Sequence, residues 1–220
     1  MEIDIEQDLF ENEAKLAAVN RKWLAERRIG ALNLLAGPGA GKTSLIRCSA
    51  ELCKLPLAVI EGDPASSIDT DLLKGLGIPA YQINTEGGCH LEALMVGQAL
   101  QDFCPAERSL LFIENVGNLI CTASFPLGEA WRAVMLGVSE GDDKPFKYPL
   151  IFTEADAVIL NKMDLQPFVD FDKERFYRGI RAIKPDLPVF EVSCKTGAGL
   201  AEWVGWLEGK AREYFDAATS

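Results

Sequence analysis

A glycine-rich stretch near the N-terminus carries the clearest chemistry in the sequence. A short apolar run at residues 31–35 leads into AGPGAGKTS at residues 36–44, and a helical pattern follows. Glycines allow a tight turn whose N–H groups point inward, and the start of the helix adds its positive dipole end. This order of strand, turn and helix predicts a loop that binds a polyphosphate.

This loop fits the consensus G-x-x-x-x-G-K-S/T with one departure, because Ala36 occupies the first glycine position. Lys42 is expected to reach the β- and γ-phosphates and is therefore a candidate catalytic residue, while the Thr43 hydroxyl is expected to bind Mg²⁺. The residues expected to contact the nucleotide in this loop are Gly37, Pro38, Gly39, Ala40, Gly41, Lys42, Thr43 and Ser44.

A second motif, N-K-M-D at residues 161–164, has the chemistry to read a base. The Asp164 carboxylate can accept hydrogen bonds from N1–H and the exocyclic amine of guanine, whereas adenine would leave it unpaired at a cost. Four letters alone also suit a solvated turn, but their position after a phosphate loop favours a guanine site. The expected nucleotide contacts in this motif are Asn161, Lys162 and Asp164.

A third motif, at residues 193–195, is similar to the S-A-K element that contacts guanine O6 through a main-chain N–H. Ser193, Cys194 and Lys195 are therefore added to the expected nucleotide contacts. Cys194 stands in place of the alanine, which the site can tolerate because the main chain makes the contact.

Acidic residues follow two other apolar runs and are candidates for the magnesium site. Glu114 begins E-N-V-G, in the place of the D-x-x-G element that positions Mg²⁺ and senses the γ-phosphate. Asp63 follows the second run, and either Asp63 or Asp69 could hold the Mg²⁺ shell or orient water, although Asp69 equally suits a helix cap. Asn118 stands where Ras-like GTPases carry a water-orienting Gln, so we expect slow hydrolysis. The expected catalytic residues are therefore Lys42, Asp63 and Glu114, and the expected magnesium ligands are Thr43, Asp63 and Glu114.

Soft metal ligands occur at two places in the chain. Cys89 and His90 are adjacent in a glycine-flanked loop, and Cys121 lies in a loop seven residues after Glu114. Thiolate and imidazole suit Zn²⁺ or Ni²⁺. Most free cysteines are packing residues, so the pattern alone leaves a metal site and ordinary packing both open.

The elements that position these motifs are short apolar strands alternating with helical segments. That alternation predicts an α/β fold, a P-loop NTPase with a doubly wound, mostly parallel sheet flanked by helices. The motifs follow five of the strands, so they should meet at the carboxyl edge of the sheet. Residues 1–29 are predicted as an N-terminal helical segment that packs on the domain through Leu9, Leu16, Ala17, Val19 and Trp23, and residues 30–220 as one GTPase domain.

Composition limits the classes of function. The chain has 220 residues, a formal net charge of −11 and one histidine. The acidic balance argues against a nucleic-acid or anionic-membrane binder, and no apolar run reaches the ~20 residues of a membrane span. Six cysteines beside a phosphate loop suggest a reducing cytoplasm with free thiols.

Together the motifs resemble the HypB family, SIMIBI-class GTPases that assist nickel insertion into nickel–iron hydrogenase. The matching segments, in order, are GPGAGKT, EGD with I-D following, QINT, CHL, FIENVGNLIC, SF-x-LGE, EGDDKP-x-KYP, NKMD and S-x-KTG. The match covers about residues 5–210. Residues 112–121 and 140–149 are its most specific parts.

This resemblance implies slow GTP hydrolysis to GDP and phosphate, and a homodimer that forms with GTP. It also implies a Ni²⁺ or Zn²⁺ site at the dimer interface, with Cys89, His90 and Cys121 as ligands. Three donors leave such an ion one ligand short, so a partner subunit or water should complete it. A nickel chaperone and the hydrogenase large subunit are the implied partners.

Two family features are absent from the first 30 residues, which contain neither Cys nor His. We therefore expect no N-terminal C-x-x-C-G-C site and no nickel storage there. Asp142, Asp143 and Lys144 lie in a family-specific loop that is either a mobile switch or an exposed turn. The alternatives are a urease-type nickel GTPase, which uses Cys-Pro-His, a metal-free regulatory GTPase, and a scaffold with negligible turnover.

Overall fold

In the part of the chain that the structure describes, the sheet has seven strands, in agreement with the spacing of the apolar runs. The structure is a computed structural model that describes the backbone of residues 5–63 and 66–217 and the side chains of residues 11–63 and 66–217. The strands are β1 (Gly30–Ala36), β2 (Leu57–Asp63), β3 (Ala80–Asn84), β4 (Leu110–Glu114), β5 (Trp131–Gly137), β6 (Ala157–Asn161) and β7 (Val189–Glu191). Their order is β3-β2-β4-β1-β5-β6-β7, and all neighbouring pairs are parallel.

Helices cover both faces of this sheet. They are α1 (Ile5–Glu26), α2 (Lys42–Leu52), α3 (Ile68–Gly75), α4 (Ala93–Phe103), α5 (Lys144–Lys147), α6 (Pro149–Thr153), α7 (Lys173–Ile183) and α8 (Leu200–Ala217). Short 3₁₀ turns occur at Cys121–Ala123, Val138–Glu140 and Met163–Phe168. The predicted α/β architecture is confirmed, and α4 begins two residues later than the sequence pattern predicts.

The central strands are mostly apolar because helices bury both of their faces. One face packs against α2 and α8 around the fully buried Trp203, whose indole N–H donates to Ser49 Oγ at 3.0 Å. The other face carries two clusters, one beneath α6 and α7 and one beneath α1 and α4. Cys48 is buried in the first core and Cys53 packs against it.

The N-terminal helix packs on the domain, as the sequence predicts. Its Leu24 is fully buried, and the Asn20 side chain donates to Ala93 O at 2.7 Å and to Leu127 O at 2.9 Å. Val19 is 65% exposed and lies off the packed face, while the side chain of Leu9 lies outside the described residues. Within the described ranges, no helix is long and apolar enough to cross a membrane.

Candidate nucleotide and metal-ion site

The phosphate loop links the end of β1 to the first turn of α2. Gly39 and Gly41 have φ values of +75° and +103°, and a Cβ at Gly41 would lie 2.8 Å from Asn161 Nδ2. Glycine is therefore required at Gly41 for both its conformation and its space. Ala36 is the last residue of β1 and has no positive φ, which explains why alanine is tolerated at the first consensus position.

Thr43 and Glu114 form the centre of the expected magnesium site. The Thr43 hydroxyl donates to Glu114 Oε1 at 2.9 Å, whereas the buried Glu114 Oε2 has no hydrogen-bond partner among the residues that the structure describes. Burial raises the pKa of Glu114 to about 7, against the opposing effects of Lys42 and of the Thr43 hydroxyl. An unsatisfied buried carboxylate oxygen beside a threonine hydroxyl suits Mg²⁺, a hard cation that prefers oxygen ligands.

A second buried carboxylate lies next to Glu114. Glu61 on β2 is in register with Glu114 on β4, and the Thr70 hydroxyl of α3 donates to its carboxylate. Burial raises the pKa of Glu61, and the nearby charges of Asp69 and Asp63 add to this effect. The sequence analysis did not identify Glu61, although its place in β2 beside the strand end was a usable signal.

The two candidate aspartates occupy different elements. Asp63 ends β2, and its Oδ1 accepts a hydrogen bond from Ser66 N at 2.6 Å. Asp69 lies in the first turn of α3, where a carboxylate interacts favourably with the helix dipole. Both lie near Glu61 and influence its pKa, so the assignment between them stays a prediction.

The guanine motif and the S-C-K segment border a cavity of about 400 Å³. Its lining residues are Gly41, Ser44, Arg47, Asn161, Lys162, Asp164, Leu165, Cys194 and Lys195. Ser193 lies behind this lining and donates from Oγ to Asp164 Oδ1 at 2.6 Å, which orients the carboxylate. This volume is within the range of small-molecule sites.

Asn161 and Lys162 hold the phosphate loop as well as lining the cavity. Asn161 donates from Nδ2 to Ala40 O at 2.9 Å and accepts at Oδ1 from Cys194 N at 3.3 Å. Lys162 donates from Nζ to Gly39 O at 2.7 Å and has a φ of +62°. The two base-reading segments and the phosphate loop therefore form one connected rim.

The predicted soft-metal ligands come from two loops that meet. Cys89 Sγ lies 3.5 Å from His90 Nδ1, and contact with the Cys121 thiol raises the pKa of Cys89. His90 stacks on Phe125 with a centroid separation of 4.0 Å. In the part of the chain that is described, no three His, Cys, Asp or Glu side chains converge into a preformed metal cage. The three residues are thus neighbours, and their ligation of a metal stays a prediction.

Asn118 connects the Glu114 segment to the Cys121 turn. Its Oδ1 accepts from Ile120 N at 2.7 Å and from Cys121 N at 3.2 Å, while its carbonyl accepts from the Thr122 hydroxyl. Asn118 is therefore engaged in capping the turn in this structure. It also follows Gly117, where a Cβ would lie 3.1 Å from Pro38 Cα of the phosphate loop.

Three further residues near the site escaped the sequence analysis. Arg47 and Leu165 line the base cavity, and Arg47 was recognisable because it lies one helical turn after Ser44 on α2. The Glu140 carboxylate lies against the phosphate loop, since a Cβ at Gly37 would be 2.6 Å from its Oε2. Burial raises the pKa of Glu140, and no local sequence signal predicts this approach.

The loop with Asp142, Asp143 and Lys144 is held by ion pairs in this structure. Asp142 accepts from Arg175 Nη1 at 2.9 Å and from Asp172 N at 2.8 Å. The Asp143 carboxylate pairs with Lys147, which lowers the pKa of that aspartate. A switching role for this loop stays a prediction.

Comparisons with known proteins identify the family to which the chain is similar. A family model described as CobW/HypB/UreG, nucleotide-binding domain, matches residues 31–191. The hydrogenase maturation factor HypB of Azotobacter vinelandii is 48% identical over 206 residues, which cover 93% of this chain and 68% of that protein.

Two solved structures are similar to this chain, one to its family and one to its fold alone. HypB from Helicobacter pylori in complex with nickel has a TM-score of 0.87 and 36% identity, over 93% of this chain and 97% of that one. The signal recognition particle 54 kDa protein from Aeropyrum pernix K1, in complex with GDP, has a TM-score of 0.56 and 12% identity, over 86% of this chain and 49% of that one, and shares the fold. The chain belongs to the CobW/HypB/UreG family of nucleotide-binding proteins, and within it to the HypB hydrogenase maturation factors.

Proposed function

We propose that this protein is a GTP-hydrolysing metallochaperone that assists nickel insertion into nickel–iron hydrogenase and couples metal handling to GTP-dependent dimerisation. The observation that carries the proposal is the link from Pro38 through Gly117 and Asn118 to the Cys121 turn. A movement of residues 114–118 on nucleotide binding would be passed to Cys121 through the hydrogen bond that Asn118 Oδ1 accepts from the Cys121 amide.

GTP is the proposed nucleotide because of the cavity beside Asp164. With its carboxylate oriented by Ser193, Asp164 is positioned to accept the guanine N1–H and exocyclic amine. Main-chain N–H groups of residues 37–44 surround the phosphates, and the Lys42 ammonium neutralises charge on the β- and γ-phosphates.

In hydrolysis, the proposed role of the protein is to position the phosphates and to stabilise charge. Bound Mg²⁺ would neutralise charge on the β- and γ-phosphates, held by the Thr43 hydroxyl and the Glu114 carboxylate. Asp63, with Asp69 as the alternative, orients the attacking water or the magnesium shell. Turnover is expected to be slow because no glutamine occupies the position of Asn118.

Nickel, or zinc in its place, is proposed as the cargo of the Cys89, His90 and Cys121 group. Two thiols and one imidazole have the softness that both ions accept. A second copy of the chain, brought together in the GTP-dependent homodimer, or a water molecule would supply the remaining ligand. A nickel chaperone and the hydrogenase large subunit are the proposed partners for loading and delivery.

Linkage makes this coupling reciprocal, so GTP must alter metal affinity by the same free energy with which metal alters GTP-dependent dimerisation. A coupling of about 1–3 kcal/mol would change metal affinity roughly 5- to 150-fold. The test is a Ni²⁺ and Zn²⁺ titration with a non-hydrolysable GTP analogue and with GDP, on the parent, on Cys121→Ala and on Cys104→Ala. Cys104 is an exposed thiol outside the site and is the matched control.

The results of this titration distinguish the proposed metallochaperone from the alternative functions. Nucleotide-dependent affinity that is lost in Cys121→Ala and kept in Cys104→Ala supports the proposal. Equal affinity in both nucleotide states would refute the coupling, and the absence of metal binding would favour a metal-free regulatory GTPase. Single-turnover hydrolysis separates a GTPase from a nucleotide-dependent scaffold, and maturation assays with hydrogenase or urease apoprotein separate the two nickel clients.

A further inference from the structure

A chain of buried hydrogen bonds runs beneath the two loops that carry Cys89, His90 and Cys121. Asn115 accepts at Oδ1 from Leu91 N at 3.1 Å and donates from Nδ2 to Asn33 Oδ1 at 3.3 Å. Asn33 in turn donates from Nδ2 to Glu129 Oε1 at 3.1 Å. Since Leu91 N belongs to the peptide bond that follows His90, one end of this chain fixes the Cys89–His90 loop.

The other end of the chain reaches the Cys121 turn. Arg132 donates from Nε to Glu129 Oε1 at 2.6 Å and from Nη1 to Ala123 O at 3.1 Å. Ala123 closes the 3₁₀ turn that begins at Cys121. Four side chains from β1, β5 and the loops after β4 therefore join the backbones of both donor loops.

Burying the four polar side chains of this hydrogen-bonded chain costs free energy of desolvation. Asn33 is 0% exposed and Asn115 1% exposed, and the Arg132 and Glu129 side chains are 13% and 3% exposed. Asn33 interrupts the apolar run of β1, where an aliphatic side chain would need no partner. Buried polar groups require every partner in place, while apolar replacements of the same shape can be neutral or stabilising. Stability of the fold alone therefore does not account for these residues.

A further pair of hydrogen bonds, from α1, holds the segments that follow these two loops. The Asn20 amide bridges Ala93 O, three residues after His90, and Leu127 O. Glu129 Oε2 accepts from Leu127 N at 2.7 Å, so this tie joins the buried chain. The segments that follow both loops are thus joined by the Asn20 side chain, and one of them is also bound to Glu129.

We propose that Asn33, Asn115, Glu129 and Arg132 are positioning residues that set the separation between the Cys89–His90 loop and the Cys121 turn. The inference rests on the proposed metal function and extends it to residues that no ligand motif contains. Asn115 directly follows Glu114, the proposed magnesium ligand. A shift of Glu114 would therefore reach the Cys89–His90 loop directly through the Asn115 side chain, and the Cys121 turn through Asn115 and the other three side chains.

The test replaces Asn33, the central link, with leucine, which has the same number of side-chain heavy atoms and the same branching but no hydrogen-bonding group. Ser49→Ala is the matched control, because it removes one buried hydrogen bond, from Trp203, on the opposite face of the sheet. Ni²⁺ affinity and the visible absorption spectrum of the Co²⁺-loaded protein at saturating metal are measured on both variants with the GTP analogue. The spectrum reports ligand geometry, which a general loss of stability would not change.

Removing partners that orient metal ligands typically weakens affinity about 10- to 100-fold, and we expect that loss with an altered Co²⁺ spectrum in Asn33→Leu. Ser49→Ala should keep the parent values. Glu129→Gln keeps the shape of the chain and removes the charge that holds Arg132, so it provides the second variant if Asn33→Leu does not fold.

Parent-like affinity and spectrum in whichever variant folds would overturn the positioning role. A parent protein whose metal affinity does not depend on Cys121 would instead overturn the metal site, and the positioning role with it. Metal titration of the Cys121→Ala variant therefore distinguishes a failure of the positioning role from a failure of the proposed metal site.

Discussion

The Ser193 hydroxyl lies 2.6 Å from Asp164 Oδ1 and donates a hydrogen bond to it. The two residues come from segments that follow β6 and β7, which are adjacent in the sheet. One carboxylate oxygen is thereby oriented by the protein before any ligand binds, which reduces the ordering that base recognition requires.

Base specificity should change when this carboxylate becomes an amide. Asp164→Asn is expected to weaken GTP binding about 10- to 150-fold, because a hydrogen bond to a charged group contributes about 1.5–3 kcal/mol. The same variant should gain affinity for xanthine nucleotides, since asparagine offers a donor opposite the additional oxygen. Calorimetric titration with GTP and XTP measures both effects, and exposed Asp186→Asn is the control. Unchanged GTP affinity in Asp164→Asn would show that this residue does not read the base.

Hydrolysis should depend on the lysine of the phosphate loop. Lys42→Ala removes the positive charge that faces the β- and γ-phosphates, and loss of one electrostatic donor costs about 3 kcal/mol of transition-state stabilisation, or roughly 100- to 1,000-fold in kcat. Phosphate release by the purified protein under saturating GTP and Mg²⁺ is the measurement, with exposed Lys54→Ala as control. Turnover equal to that of the parent would contradict the assignment of Lys42.

The spacing of residues within each motif was enough to predict that the three nucleotide motifs lie at one edge of the sheet. The phosphate loop, N-K-M-D and S-C-K each follow a strand, and parallel strands bring their carboxyl ends to one edge regardless of distance along the chain. Arg47 was within reach of the same reasoning, since it lies one turn after Ser44 on an identified helix.

Contacts between distant segments could not be found in this way. Asn33 and Glu129 are 96 residues apart and meet only because β1 and β5 are neighbours in the sheet. Glu140 approaches Gly37 for the same reason, from the turn that follows β5. Strand order decides such contacts, and hydrophobic periodicity does not specify strand order. Asn118 illustrates a different limit. Its position in the sequence indicated that it stands in place of the glutamine of Ras-like GTPases, but not that its side-chain oxygen would accept hydrogen bonds from Ile120 N and Cys121 N.

Cys194 should be a poorly reactive thiol despite lining the base cavity. Burial, with Cys48 nearby, raises its pKa to about 12, so about 1 in 10,000 molecules carries the thiolate at pH 8. The thiolate fraction grows with pH below that pKa, and alkylation by iodoacetamide should therefore accelerate tenfold per pH unit between pH 7 and 9. Peptide mass spectrometry should find exposed Cys104 modified far earlier. Equal labelling of Cys194 and Cys104 at pH 7.5 would contradict this expectation.

Asn118 should transmit the nucleotide state to the Cys121 turn through its side-chain oxygen. Asn118→Leu removes the acceptor for the N–H groups of Ile120 and Cys121, so the turn should no longer follow the segment that contacts Pro38. We expect the ratio of Ni²⁺ affinities with GTP analogue and GDP to fall from roughly 5- to 150-fold toward one.

Asn118→Asp is the matched control for that variant, because aspartate keeps an acceptor oxygen in the same place, although it replaces the amide donor with a second, charged carboxylate oxygen. The coupling ratio should stay near the parent value in Asn118→Asp, with parallel titrations of both variants in each nucleotide state as the measurement. A parent-like ratio in Asn118→Leu would exclude the capping oxygen as the link. Loss of coupling in both variants would likewise contradict a role for the capping oxygen alone. Because Asn118 ligates neither the metal nor the nucleotide in the proposed mechanism, a selective loss of coupling would separate transmission from binding.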